Sequence, residues 1–135
     1  MSYKISDIEG IGEVYAAKLT QAGIESTEAL LEKGGSRKGR EELETSTGIS
    51  GKLILKWVNH ADLMRIYGVA GQYAELLEEA GVDTVKELRT RNAANLATAL
   101  AAANERRKLT GNVPSESMVA KWIEEAKGME PKVSY

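Results

Sequence analysis

Ile8-Glu9-Gly10-Ile11-Gly12, followed by Tyr15-Ala16, Leu19 and Ala22-Gly23-Ile24, returns as Ile66-Tyr67-Gly68-Val69-Ala70, followed by Tyr73-Ala74, Leu77 and Ala80-Gly81-Val82. Every matched pair is 58 positions apart. The retained letters are of two kinds, glycines and apolar residues at helical spacing. A repeated set of chain-bending and core-facing positions specifies one structural unit stated twice.

Working outward, Ile5 and Ile8 predict a short helix before the bend at Gly10-Ile11-Gly12. Val14 to Ala22 is an amphipathic helix that Gly23 closes. Ser26 or Thr27 opens the next, Glu28-Ala29-Leu30-Leu31. Gly34-Gly35-Ser36 is a loop, Arg37 to Thr45 a helix ended near Gly48, and Ser50 the N-cap of a helix from Gly51 to about His60. The second copy follows the same grammar. Ala61 to Ile66 leads in, Gly68-Val69-Ala70-Gly71 bends, and Gln72 to Ala80 is helical. Thr84 starts Val85 to Arg91, Asn92 caps Ala93 to about Lys108, and Ser115 to Lys127 is the last helix. Lys121-Trp122-Ile123 answers Lys56-Trp57-Val58 at an offset of 65, which places about seven extra residues around the Ala-rich helix of the second copy. No segment alternates with period 2, so the pattern predicts an all-α chain of about ten helices, two copies of five.

Composition narrows the function classes. The chain of 135 residues has no cysteine, hence no disulfide framework and no thiolate metal site. No apolar run approaches the roughly 20 residues of a membrane span, and the N-terminal residues lack an apolar signal core, so a cytoplasmic location is the default expectation. Net charge is −2. Residues 1–62 hold eight Lys/Arg against ten Asp/Glu, and residues 63–135 hold ten against ten. Nucleic-acid binders ordinarily carry a basic surplus, because phosphate neutralisation supplies much of their affinity. No nucleophile–base set, phosphate-binding loop or dinucleotide fingerprint is present, so no enzyme and no small-molecule substrate are expected.

The order helix, Gly-x-Gly, helix with inward Ala, Ala-Gly-Ile, Ser/Thr, Leu-Leu resembles the helix-hairpin-helix motif, which Ile8-Glu9-Gly10-Ile11-Gly12, Tyr15-Ala16 and Leu19 carry in this chain. Thr47-Gly48-Ile49-Ser50 to Trp57-Val58 looks like the second hairpin of the five-helix, SAM-like unit found in DNA-repair proteins and recombinase N-terminal domains. The whole chain, through Pro131-Lys132-Val133-Ser134-Tyr135, is similar to a bacterial family of unknown function built from two such units. The resemblance implies two tandem units packed as one compact body, residues 1–62 and 63–127, with a boundary near 61–64 and a tail at 128–135. In DNA-binding members the turn leaves backbone N–H groups free at a helix N-terminus, where they and the helix dipole hold a phosphate oxygen without reading sequence. A monovalent cation on the turn carbonyls assists some members; no other cofactor is implied.

Carried over residue by residue, Gly10, Ile11 and Gly12 match the phosphate-cradling turn. Gly68 and Val69 match it in the second copy, where Ala70 replaces the last glycine; either Gly71 restores the bend or the contact is lost. Gly48-Ile49-Ser50-Gly51-Lys52 is a degenerate third hairpin, and Gly111-Asn112-Val113-Pro114-Ser115 departs further. Cations commonly follow such turns. In this chain Glu9 and Glu13 flank the first turn, and Gln72, Tyr73 and Ala74 follow the second. Only the third has its cation, Lys52, with Lys56 one turn on.

Each feature also has a plainer reading. The glycines suit a tight helix–helix bend by themselves. Trp57 and Trp122 are expected in the core, His60 at the surface or a helix end, and Arg106-Arg107-Lys108 at a helix C-terminus. Lys33, Arg37, Lys38 and Arg40, followed by Glu41, Glu42 and Glu44, are expected to form a solvated mixed-charge face. The expected function is a non-enzymatic binding module that contacts a nucleic-acid backbone through its hairpins. The alternative is a protein-interaction or structural module that has lost that contact.

Overall fold

Gly10 and Gly68 take φ of +81° and +86°, and Gly23 and Gly81 take +85° and +95°, so the matched glycines are matched in backbone conformation. A computed structural model describes residues 3–135 of the chain. It is all-α among the described residues. A 3-10 turn at Ile5–Asp7 precedes α1 (Gly12–Gln21), α2 (Thr27–Gly34), α3 (Arg37–Thr47) and α4 (Gly51–Leu63). Then follow α5 (Gly71–Glu79), α6 (Val85–Leu88), α7 (Ala93–Arg107) and α8 (Glu116–Lys127). None of these helices is long and apolar enough to cross a membrane.

Local chemistry explains the punctuation. After α1 the Ile24 amide donates to Leu19 O at 2.8 Å and the Gly23 amide to Thr20 O at 2.9 Å. After α5 the Val82 amide donates to Leu77 O at 2.8 Å and the Gly81 amide to Glu78 O at 2.9 Å. This is the paired closure in which a left-handed glycine lets the chain satisfy the last helical carbonyls. Ser26 and Thr84 then cap α2 and α6 by accepting from the Ala29 and Glu87 amides.

The core is one contiguous apolar cluster running through both halves. Helices α2 and α3 pack on α4, α6 and α7 on α8, and α5 joins α4 to α7. Trp57 and Trp122 are 2% and 3% exposed. Each meets a tyrosine at a tilt: Tyr15 and Trp57 have centroids 5.1 Å apart at 57°, and Tyr73 and Trp122 have centroids 5.3 Å apart at 54°. Such tilted pairs are favoured by the ring quadrupoles.

The structure departs from the expected layout in two places. The separate lead-in helix over Ala61 to Ile66 does not exist. Instead α4 continues to Leu63, and the Met64, Arg65 and Ile66 amides bond back to His60, Asp62 and Leu63. Asp62 is buried there because its carboxylate accepts from the Val85 amide at 2.8 Å and from Arg65 at 2.7 Å. The extra length of the second half lies in and just after the Ala-rich helix, α7 having four residues more than α3 and the loop after it five more than the loop after α3. Finally, His60 stands near a helix end, in the last turn of α4, but not at the surface. It is 0% exposed, and its Nε2 lies 3.1 Å from Glu78 Oε2.

Candidate nucleic-acid interface

Among the described residues, six of the eight α-helices close their own N-termini. Ser26, Ser36, Ser50, Thr84, Asn92 and Ser115 each accept from an amide three residues on, at 3.0–3.3 Å. The two exceptions are α1 and α5, whose N-cap positions are Ile11 and Ala70. These are the helices that follow the Gly-rich turns. A helix without a side-chain cap keeps its first amides for another acceptor.

At the first turn Gly10 and Gly12 are both left-handed, with φ of +81° and +65°, and a Cβ on either would meet nothing within 4 Å. Their glycine character answers backbone conformation rather than crowding. Ile11 is buried, and its amide donates to Ile8 O. Gly10 and Gly12 are exposed, and so is Glu13, while Glu9 is half-buried. The turn is open to solvent but carries carboxylates on both sides.

The second turn is built differently. Gly68 is left-handed and Val69 fully buried, but Ala70 is extended and Gly71 has no positive φ. Gly71 therefore does not restore the bend. It is buried where a Cβ would collide with the Asp7 carbonyl oxygen. Its role is close approach between the start of α5 and the chain ahead of the first turn. The Tyr67 amide is taken by Glu125 Oε2 at 3.0 Å. A cleft of about 540 Å³ lies between the second turn and the chain ahead of the first, lined by Asp7, Glu9, Gly68, Gly71, Tyr73 and Asn112 among others. The second turn thus opens onto a wall that carries two acidic residues.

The third hairpin holds its own anion. Gly48 is the left-handed C-cap of α3 and donates to Glu44 O. Ile49 is buried, and Ser50 caps α4. The Gly51 amide donates to Glu44 Oε2 at 2.8 Å. A carboxylate at a helix N-terminus gains both a charge-assisted bond and the helix dipole. Lys52 is exposed. Lys56 points elsewhere, 3.8 Å from Glu78 Oε1. In the fourth slot Ser115 caps α8, and Asn112 O accepts from Tyr73 Oη at 2.9 Å.

Several of the remaining charges are engaged. Arg106 and Arg107 at the end of α7 pair with Glu79, and Arg107 also with Glu75. Arg40 does not belong to a solvated face. It is 7% exposed and donates to Gly34 O, Gly35 O and Ser134 O. Burial holds its pKa below the ordinary arginine value, against the opposing field of Tyr135. Burial alone would raise the Glu78 carboxyl, but the His60 hydrogen bond and charge, with Lys56 and Arg107, outweigh it and hold the pKa low. Asp83 moves the other way, raised by burial and then by Glu87 and Glu78.

The contacts Glu125–Tyr67 and Asp7–Gly71 had no local signal, because only the tertiary fold brings those residues together. The Glu44–Gly51 contact is local and had a hint, in the run of glutamates that ends just before Gly48.

Among known protein families, the profile of one described as "Domain of unknown function (DUF4332)" matches residues 9–129. No curated protein and no solved structure matches the chain.

Proposed function

The chain belongs to the DUF4332 family, and from that premise we propose that it is a non-enzymatic protein-interaction module built from two tandem helix-hairpin-helix units. The units are residues 1–62 and 63–127. The matched glycine conformations, helix closures and Tyr–Trp pairs of the two halves support that division.

The observation that carries the reading is the Glu44 carboxylate on the Gly51 amide. In DNA-binding proteins with this motif, the turn amides hold a phosphate oxygen. In this chain the third hairpin, the one with a cation after its turn, has its anion position filled from within. At the second, the Tyr67 amide is held by the Glu125 carboxylate. An external phosphate would have to displace or approach fixed carboxylates, at a cost comparable to what one contact gains. Apolar side chains stand at the turn edges instead: Val14 after the first is 69% exposed and Tyr67 before the second 75%. Exposed tyrosine is among the side chains that protein interfaces favour.

A second reading rests on the uncapped start of α1. Its open amides beyond the Gly10–Gly12 turn suit a sequence-independent contact with a single phosphate of a nucleic-acid backbone. Fluorescence anisotropy with labelled duplex DNA separates the two. The protein-interaction reading expects no association even at low salt. Affinity that falls steeply with salt and weakens further in Lys52→Glu would overturn it in favour of nucleic-acid binding.

A further inference from the structure

The segment after α8 turns back across the first half. Arg65 Nη2 donates to Glu130 O at 2.9 Å. The Ser134 amide donates to Gly35 O at 2.8 Å, and Arg40 Nη2 donates to Ser134 O at 2.6 Å. Tyr135 lies under the Arg40 guanidinium, 5.9 Å from Cζ to ring centroid, and its hydroxyl donates to Asn59 Oδ1 at 3.4 Å. Gly35 is buried, and a Cβ there would collide with the Lys132 carbonyl oxygen. Met129 and Val133 pack on the core, while Lys132 and Ser134 are exposed.

Two features of this contact resemble ligand recognition more than ordinary packing. Most of the polar contacts go to the main chain of the segment, so they suit any extended polypeptide. Arg40 is a buried cation whose hydrogen-bond acceptors are carbonyl oxygens, and one of them belongs to the segment. The side-chain selection that remains is an apolar residue and, two positions on, an aromatic ring. Clefts of about 250 and 280 Å³ border the segment, one lined by Met129 and Lys132 and the other by Tyr135.

We propose that the face formed by Gly34, Gly35, Arg40, Asn59 and Arg65 is a receptor for an extended polypeptide of a partner protein carrying an apolar-x-aromatic pattern, and that Met129–Tyr135 occupies it in cis as a resident competitor. The inference rests on the protein-interaction reading and gives that reading a surface. Covalent attachment gives the resident segment an effective concentration on the order of millimolar. An incoming peptide therefore binds the intact protein weakly until the segment is released.

The test uses the full chain with Val133→Asp, Ser134→Pro and Tyr135→Ala, which weaken the segment and leave the face intact. The probe is a fluorescein-labelled peptide with the sequence of residues 128–135. Peptide affinity should rise at least about ten-fold over the wild type, as expected when an intramolecular competitor is removed. It should fall again when Arg40→Gln is added, and a scrambled peptide should not bind. Equal binding of both peptides, or no binding to a variant whose helical circular dichroism is intact, would overturn the proposal. Should the variant fail to fold, Gly35→Ala in the wild-type chain gives the second readout. Amide exchange at Ser134 should accelerate while α5 amides stay protected, and an unchanged Ser134 rate overturns the proposal. A wild-type dimer that free peptide dissociates would assign the face to a second copy and overturn the partner-protein form. Failure of peptide binding leaves the protein-interaction reading standing, since that reading falls only on duplex binding.

Discussion

The carboxylate of Glu44, near the end of one helix, lies 2.8 Å from the amide of Gly51, the first residue of the next. A single side chain therefore closes the hairpin between α3 and α4. It also supplies the negative charge that the start of α4 attracts.

Removing it should cost stability rather than release a hidden activity. Glu44→Ala is expected to destabilise the protein by about 1 kcal/mol, the usual cost of losing a cap. Urea denaturation would measure it through a shift in midpoint at constant slope. A midpoint unchanged within error would mean that solvent serves the Gly51 amide equally well.

The two turns should respond differently to the same substitution. Gly12→Val is expected to cost about 1–3 kcal/mol because Gly12 needs a left-handed backbone. Gly71→Ala should cost a similar amount, about 1–3 kcal/mol, through collision with the Asp7 carbonyl. Asparagine tells the causes apart, since it tolerates the left-handed region but has a Cβ. It should rescue much of the loss at position 12 and none at 71.

Glu78 is held ionised by His60, Lys56 and Arg107. Its folded pKa is depressed, so its contribution is present above the ordinary carboxylate value and lost as pH falls through the folded one. Glu78→Gln should destabilise by about 1–2 kcal/mol near neutrality, as for a lost hydrogen bond to a charged group. The two stability curves should converge in acid. A gap that persists at low pH would trace the loss to packing.

Asp83 should show the opposite sign. Burial, Glu87 and Glu78 raise its pKa, so its neutral form is favoured by folding. That stability is complete below the ordinary aspartate value and lost as pH rises through the raised one. Asp83→Asn is expected to raise the melting temperature at neutral pH and leave it unchanged in acid. A lower melting temperature at neutral pH would show that the Asp83 charge stabilises the fold.

What was legible in the sequence was local. Ser50, Thr84 and Asn92 cap the helices they were expected to cap, because a cap lies three residues from the amide it serves. Gly23 and Gly81 end helices for the same short-range reason, and Trp57 and Trp122 fall on apolar helical faces. What stayed hidden was set by distant partners. His60 carries no sequence mark of burial, because its polar partner, Glu78, stands on another helix. Arg40 sits in a charged run that reads as solvated surface, yet it turns in to the Gly34 and Gly35 carbonyls and meets Ser134 across 94 positions. At the candidate interface, Gly71 was visible as a glycine, yet the oxygen that requires it belongs to Asp7.

The ties between residues 1–62 and 63–127 stand at separate places: Asp7 against Gly71, the Asp62 carboxylate on the Val85 amide, and His60 beside Glu78. A body fastened at a single point can pivot about it, whereas several separated fastenings remove that freedom. The returning segment after α8 is one tie more, through Gly35 and Arg40. A molecule that takes the place of Met129–Tyr135 therefore frees the segment and leaves the two halves locked.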